Sequence, residues 1–390
     1  MKKEKHITNM NFNLSEEHEQ IRNTVRDFAE KKIKPVAQEL DEKEQFSYDL
    51  TREMGAMGLF GIYLPPKYGG AGMDYLSYII AVEEIARVDG SQAATLAAHN
   101  SLGIGPIYNY GSKEQKEQYL PKLCDGTGLW SFGLTEPEAG SDSRASKTTA
   151  VAEKNDWVIN GNKIFITNGS VDINLGATVQ AVTSGPNEKK EFTTIIVEKG
   201  TPGFSQQAMH GKMMWRASDT SQLFFDNCRV SKKNTLGRPG QGSKIMLQTL
   251  DAGRLSIAAM GLGCAQGAYE LALNYAQERK QFGKSISKFQ AVSFSLADMA
   301  TKIELARTFL YKTCWLKDTK KPFSKEAAMA KLYCSEIAKE ITDAAVQIHG
   351  GYGLMKEYNV ERFYRDQRLL QIGEGTSEIQ RVVIAKHIGC

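Results

Sequence analysis

Asp156-Trp157-Val158-Ile159-Asn160-Gly161-Asn162-Lys163-Ile164-Phe165-Ile166-Thr167 is the stretch on which the fold turns. Tryptophan and β-branched residues crowd both of its ends, and Asn160-Gly161 between them reads as a type I′ hairpin turn joining two strands. Phe192-Thr193-Thr194-Ile195-Ile196-Val197 and Gln222-Leu223-Phe224-Phe225 repeat the β-branched and aromatic pattern. Several short strands between about Leu129 and Val230 predict a compact barrel or sandwich of roughly 100 residues. No helical pattern alternates with them, which argues against a βαβ nucleotide-binding unit.

On both sides of this region apolar residues recur at three and four. Ile21, Val25 and Phe28 form one stripe; Tyr75, Ile79, Val82 and Ile85 form another. Ser112 with Gln115 reads as a capping box, and Pro65-Pro66-Lys67-Tyr68-Gly69-Gly70-Ala71-Gly72 interrupts the helical set. After Gly240-Gln241-Gly242 long amphipathic stretches cover 243–280, 288–317 and 324–349, and a last one runs from Ser377 to His387. The connections Gly283-Lys284-Ser285 and Thr319-Lys320-Lys321-Pro322 are short, so an antiparallel bundle is expected. The fold class is therefore α+β, with a helical domain at 1–128, a β domain at 129–240 and a helical bundle at 241–390.

Composition narrows the function. The chain has 390 residues, 41% of them hydrophobic and 24% charged, enough for a large core and too apolar for disorder. A net charge of +4 lacks the basic surplus of a nucleic-acid binder. No apolar run approaches the ~18 residues that span a bilayer. Cys124, Cys228, Cys264, Cys314, Cys334 and Cys390 form no CxxC pair, and the six histidines share no ligand spacing, so no metal site is expected. Met1-Lys2-Lys3-Glu4-Lys5 opens like a leader, but His6-Ile7-Thr8-Asn9 follows where an apolar stretch belongs. A cytoplasmic protein with reduced thiols is the expectation.

Four segments carry candidate chemistry. Gly261-Leu262-Gly263-Cys264-Ala265-Gln266-Gly267 imitates a dinucleotide motif but has one residue too many and lies mid-helix, so it predicts close helix packing. Leu134-Thr135-Glu136-Pro137-Glu138-Ala139-Gly140-Ser141-Asp142-Ser143 sits where the helical and β regions meet, and its free backbone amides suit a polar ring edge or a phosphate. Gln347-Ile348-His349-Gly350-Gly351-Tyr352-Gly353 ends a long helix on a Gly-Gly cap. Glu374-Gly375-Thr376-Ser377-Glu378 opens the last helix, with Thr376 or Ser377 as its cap.

In their order and spacing, the motifs LTEPEAGSD (134–142), FITNG (165–169), LDAGR (250–254), ERKQFGK (278–284), QIHGGYG (347–353) and GEGTSEIQR (373–381) resemble the acyl-CoA dehydrogenase family, from about Asn11 to Ile388. The resemblance implies an N-terminal helical domain, a middle β-barrel and a C-terminal four-helix bundle, assembled as a homotetramer around FAD. It implies that Phe132, Leu134, Thr135, Gly140 and Ser141 line the flavin ring, with Phe165, Ile166 and Thr167 over its other side. Many relatives carry Trp at the place of Phe165. Arg279, Phe282 and Gln290, with Gln347, Ile348, Gly350 and Gly351, are implied at the FAD diphosphate and adenosine of a neighbouring subunit, and Thr376, Ser377 and Glu378 complete the cofactor site. Ser141, Asp251, Gly253, Arg254 and Gly375 are implied at the acyl-CoA.

The implied reaction is α,β-dehydrogenation of an acyl-CoA thioester to the trans-2-enoyl-CoA, with electrons passed to electron-transfer flavoprotein. Glu374 is the implied catalytic base and its amide an oxyanion donor. Some relatives place the base within LDAGR, where this chain has Gly253, which favours the short- and medium-chain branch. Ala93 stands where relatives acting on glutaryl-CoA carry arginine, and Gly373 where straight-chain relatives often carry tyrosine. A short straight acyl chain is the leading expectation, and a branched or cyclic short acyl group (2-methylbutyryl, isobutyryl, cyclohexanecarbonyl) is the alternative. A redox-silent acyl-CoA-binding scaffold is the reading from another class, which Glu374 and the intact cofactor motifs oppose.

Overall fold

The structure is a computed structural model that describes residues 13–185 and 188–390. The leader reading at Met1 to Asn9 lies outside the described residues. The first third is helical: α1 (Glu16–Phe28), α2 (Ala37–Lys43), α3 (Tyr48–Ala56), α4 (Tyr75–Ala86), α5 (Gly90–Ala98), α6 (Gly105–Tyr110) and α7 (Lys113–Cys124). Ser112 and Gln115 form both bonds of the expected capping box at the start of α7. The α4 helix exceeds its predicted stripe, since every residue but Leu76 is buried, as befits a helix covered on all sides. A π-helical turn, His99–Ile104, joins α5 to α6.

The middle region contains β1 (Leu129–Gly133), β2 (Thr149–Glu153), β3 (Asp156–Thr167), β4 (Asn174–Val182), β5 (Phe192–Glu198), β6 (Phe204–Ala208), β7 (Thr220–Ser231) and β8 (Thr235–Leu236). The expected hairpin at Asn160-Gly161 is not formed. Residues 156–167 are one strand, and β7 follows both halves of it with register shifts between Ile159 and Gly161 and between Lys163 and Ile166. Gly161, at φ 141°, is required there because a Cβ would meet Thr148 Oγ1 at 2.6 Å. The dipeptide marks a bulge and a close backbone passage, not a reversal. The chain turns just before it, at Lys154-Asn155, where Glu153 pairs with Asp156.

The middle sheet is not a closed barrel, which corrects the barrel expectation. Its order is β6-β7-β3-β2-β4-β5-β8, with β1 beside β4, so β6 and β8 remain edges. Its two halves meet through a single parallel pair, Thr149 with Val182. The sheet folds over at that joint, and Ala150, Ile159, Val179, Ile195, Leu223 and Val230 from both halves make one apolar core.

The last third holds α8 (Gly242–Glu278), α9 (Gln290–Asp318), α10 (Ser324–His349), α11 (Val360–Asp366) and α12 (Ser377–Ile388), with a small hairpin of β9 (Lys280–Gln281) and β10 (Lys284–Ser285) after α8. The glycines of the false dinucleotide motif do serve packing: a Cβ at Gly263 would sit 2.3 Å from Glu83 O, and one at Gly267 would sit 2.1 Å from Arg87 O. These contacts let α8 press against α4. Apolar residues of the first and last thirds therefore form one continuous core, which also takes in Leu129, Trp130, Ile196 and Leu236 from the sheet, while a second core lies within the sheet itself. Buried charges cross the same seam, with Arg307 Nε 2.9 Å from Glu83 Oε1 and Tyr311 Oη donating to Glu83 Oε2 at 2.6 Å.

Candidate active site

Glu374 lies in the segment between α11 and α12 with φ 53°, a left-handed conformation unusual for a residue with a side chain, and Gly375 follows at φ 94°. Lys331 Nζ donates to Gly375 O at 2.7 Å, and Gln380 Nε2 donates to the same oxygen at 2.9 Å and to Glu374 O at 3.3 Å. Lys331 and Gln380 are fully buried, so this strained turn is held from beneath. Thr376 caps α12 by accepting from Ile379 N at 3.3 Å. Ser377 Oγ donates to Glu336 at 2.7 Å, whereas Glu378 faces solvent.

The Glu374 side chain points at α8. A Cβ placed on Gly253 would lie 2.0 Å from Glu374 Oε2, so the missing side chain is the space the carboxylate occupies. On the other side of that hypothetical Cβ is Leu102 Cδ2, at 3.4 Å, presented by the π-helical turn. Glu374 Oε2 is buried without a hydrogen-bond partner in the protein, as is Arg254 Nε nearby. Burial pushes the Glu374 carboxyl up to about 7, against the opposing pull of Lys331 and Arg254. Burial likewise draws the Lys331 ammonium down to about 8. Asp251 pairs with Arg254 and accepts from Ser324 Oγ at 3.1 Å. Glu374, Gly253, Arg254, Asp251 and Gly375 thus lie together, around a carboxyl that burial has raised toward neutral pH.

A second group gathers on the sheet. Ile164 N donates to Thr135 O at 3.0 Å, bringing the Phe132 to Ser141 segment beside Phe165 and Thr167. Phe165 is 64% exposed at φ 59°, Ser141 is exposed, and a Cβ on Gly140 would meet nothing within 4 Å. Ile166 instead buries its side chain in the sheet core, and its carbonyl accepts from Ser221 Oγ at 3.0 Å. Beneath this surface Lys163 Nζ, fully buried, bonds Glu136 Oε1 at 2.7 Å and Leu134 O at 3.1 Å. Glu136 also accepts from Lys147 N at 2.6 Å and Thr148 N at 3.0 Å. Burial would raise its carboxyl, but Lys163 and these N–H groups hold it below the usual value. The pair shapes the loop. Lys163→Met is expected to lower unfolding free energy by about 3–5 kcal/mol in urea titrations, because it leaves a buried carboxylate uncompensated, while Lys163→Met with Glu136→Leu recovers most of that loss.

A third group lies at one end of the helical bundle. Arg279 stacks over Tyr352 at 5.7 Å, Phe282 at the β9–β10 turn is 93% exposed, and Gln290 begins α9. Gln347, Gly350 and Gly351 are exposed around the end of α10, and Ile348 is half-buried. Among the described residues no hydrogen bond, ion pair or ring contact joins this group to the sheet surface or to Glu374. The exposed phenylalanine on the sheet and the open backbone beside it fit a flat ring, and Arg279 fits a phosphate.

The sequence matches family models for the N-terminal domain of acyl-CoA dehydrogenase over residues 15–127, the middle domain over 131–228 and the C-terminal domain over 240–389. The chain belongs to the acyl-CoA dehydrogenase family. It is 46% identical to the short-chain specific acyl-CoA dehydrogenase of Clostridium acetobutylicum, over 97% of this chain and 100% of that one. Butyryl-CoA dehydrogenase from Megasphaera elsdenii superposes with a TM-score of 0.94 at 42% identity, covering 97% and 100% of the two chains. A chain in a structure described as electron transferring flavoprotein of Acidaminococcus fermentans, a study of flavin-based electron bifurcation, gives 0.94 at 44% identity with the same coverage. As an acyl-CoA dehydrogenase, the chain is an oxidoreductase acting on CH–CH bonds, and its family is flavin-dependent. Among the described residues no helix is long and apolar enough to cross a membrane.

Lys163 and Lys331 lie outside the motifs, and Glu136 and Gln380 lie inside them without a role read from the sequence. A signal existed for Lys331: it falls on the face of α10 shared by Ala327, Cys334 and Ala338, where a lysine among buried residues calls for a partner.

Proposed function

We propose that this acyl-CoA dehydrogenase oxidises a short straight-chain acyl-CoA thioester to the trans-2-enoyl-CoA, with FAD as its cofactor and electron-transfer flavoprotein as the onward acceptor. The observation that carries this reading is the Glu374 carboxylate, unpartnered and packed into the space left by Gly253. Glu374 takes the α-proton, and its backbone N–H is aimed by the clamped Glu374-Gly375 turn to share charge on the thioester oxygen. When bound, FAD supplies the two-electron acceptor for the β-hydride. Arg254 and Asp251 flank the thioester, and Ser141 meets the CoA arm.

Phe132, Leu134, Thr135, Gly140, Phe165, Thr167 and the Ile166 backbone hold the ring, and Thr376, Ser377 and Glu378 the near side of the cofactor. Arg279, Phe282, Gln290, Gln347, Ile348, Gly350 and Gly351 serve the cofactor of a second subunit, which accounts for a phenylalanine left 93% exposed. On this reading the enzyme is a homotetramer whose three parts, 1–128, 129–240 and 241–390, meet around the cofactor. Six free cysteines, five of them buried, accord with a cytoplasmic setting. The branched or cyclic alternative raised by Gly373 is not favoured, because the similar short-chain enzymes match essentially the whole chain.

The purified protein is expected to be yellow, to show a flavin spectrum, and to bleach anaerobically with butyryl-CoA. In a panel with hexanoyl-, isobutyryl-, 2-methylbutyryl- and cyclohexanecarbonyl-CoA, butyryl-CoA is expected to rank first or second by kcat/KM. A colourless protein that takes up no FAD would overturn the enzyme reading; butyryl-CoA ranking last would overturn the chain length.

A further inference from the structure

Lys331 is a fully buried lysine that the reaction does not use directly, yet its amine sits under the active-site turn. Two features meet there. Its hydrogen bond to Gly375 O, 2.7 Å long, fixes the Gly375-Thr376 peptide next to the left-handed Glu374, and its charge, like that of Arg254, pulls the Glu374 carboxyl down against burial. The other charged or titratable groups facing this spot are Arg254 from α8, Tyr75 and Tyr78 from α4, Glu336 on α10 itself and Glu378 from α12. Tyr75 and Tyr78 are buried and neutral, because burial raises both phenols above their usual range. Arg254 is already engaged by Asp251. Glu336 accepts from Ser377 and Gln371, and Glu378 faces solvent. Lys331 is thus the nearby cation not committed to another carboxylate by an ion pair.

We infer that Lys331 is a positioning residue for the base, locking the Glu374-Gly375 turn through the Gly375 carbonyl and, through its charge, favouring the ionised form of the Glu374 carboxylate. This rests on reading Glu374 as the base. The two effects separate by substitution. Glutamine can still donate to Gly375 O but carries no charge; methionine does neither; arginine keeps the charge.

The test is the pH profile of kcat/KM for butyryl-CoA, measured on FAD-loaded protein whose flavin content and melting temperature are recorded alongside. Loss of the charge destabilises the carboxylate, so the acid limb moves to higher pH. In Lys331→Gln that limb is expected to rise by about one pH unit, which is about tenfold less activity at pH 6, with the alkaline plateau within a few-fold of wild type. Lys331→Met is expected to show the same shift and a lower plateau, and Lys331→Arg a limb close to wild type. The infrared carboxyl band that disappears in Glu374→Gln reports the same titration without turnover. An acid limb and band unmoved in both the Gln and Met variants would overturn the role of Lys331, as would an Arg variant shifted as far as they are. High residual activity in Glu374→Gln would instead remove the base assignment itself.

Discussion

Replacing Glu374 by glutamine is expected to slow substrate-dependent flavin bleaching by about 10⁴-fold while the protein melts at or above the wild-type temperature. The rate falls because the amide cannot accept the α-proton. The stability expectation follows from the direction of the pKa. Burial raises the folded-state carboxyl to about 7, above its unfolded value. The ionised form therefore opposes folding above that pH, and the penalty fades as pH falls and the group takes up a proton. A neutral amide of the same shape removes the penalty. In the wild type, kcat/KM is expected to rise about tenfold per pH unit on the acid side and to level off near pH 7, the limb being absent from the residual activity of the variant. Stopped-flow absorbance and differential scanning calorimetry check both halves, and a variant bleaching at near-wild-type rate refutes the assignment.

Gly253→Ala is expected to separate activity from stability in the opposite sense to most core substitutions. The new methyl carbon would stand 2.0 Å from Glu374 Oε2, so the carboxylate must swing away. That motion is structurally easy, since the far end of a flexible side chain gives way and not backbone. Alanine also favours the helix interior over glycine by up to about 1 kcal/mol. Catalysis is less forgiving, because a base displaced by an ångström loses about 10²-fold. Unchanged or raised melting temperature with kcat/KM down about 10²-fold is the expected pair of results. Wild-type kcat/KM in this variant would show that the carboxylate does not work from the Gly253 side.

Much of this architecture can be read from the residues. Helical periodicity places α8, α9, α10 and α12 within a few residues, because their apolar repeats are long and their stops are marked by Gly350 and by the Thr319 to Pro322 connection. The Asn160-Gly161 signal misleads because a glycine chosen for the closeness of Thr148 looks the same in sequence as one chosen for a turn. Sheet closure depends on which strands pair across distance, and no local pattern around Thr149 and Val182 announces that only one pair joins the halves. The same limit applies within the site. Glu374 and Gly253 are visible through their motifs, but their direct contact spans elements far apart in the chain. Lys163 and Glu136, or Lys331 and Gly375, become functional only through partners that the fold supplies.

The core shared by the first and last thirds also governs the order in which the protein can mature. About 150 residues separate the end of α4 from the start of α8, the helix that covers it. At ribosomal speeds of roughly 5–20 residues per second, the side of α4 that α8 covers waits roughly 8–30 s for that cover. The sheet has a core of its own, but Leu129, Trp130, Ile196 and Leu236 turn to the core that α8 completes. Both the N-terminal helices and one face of the sheet therefore stay uncovered until the bundle is made.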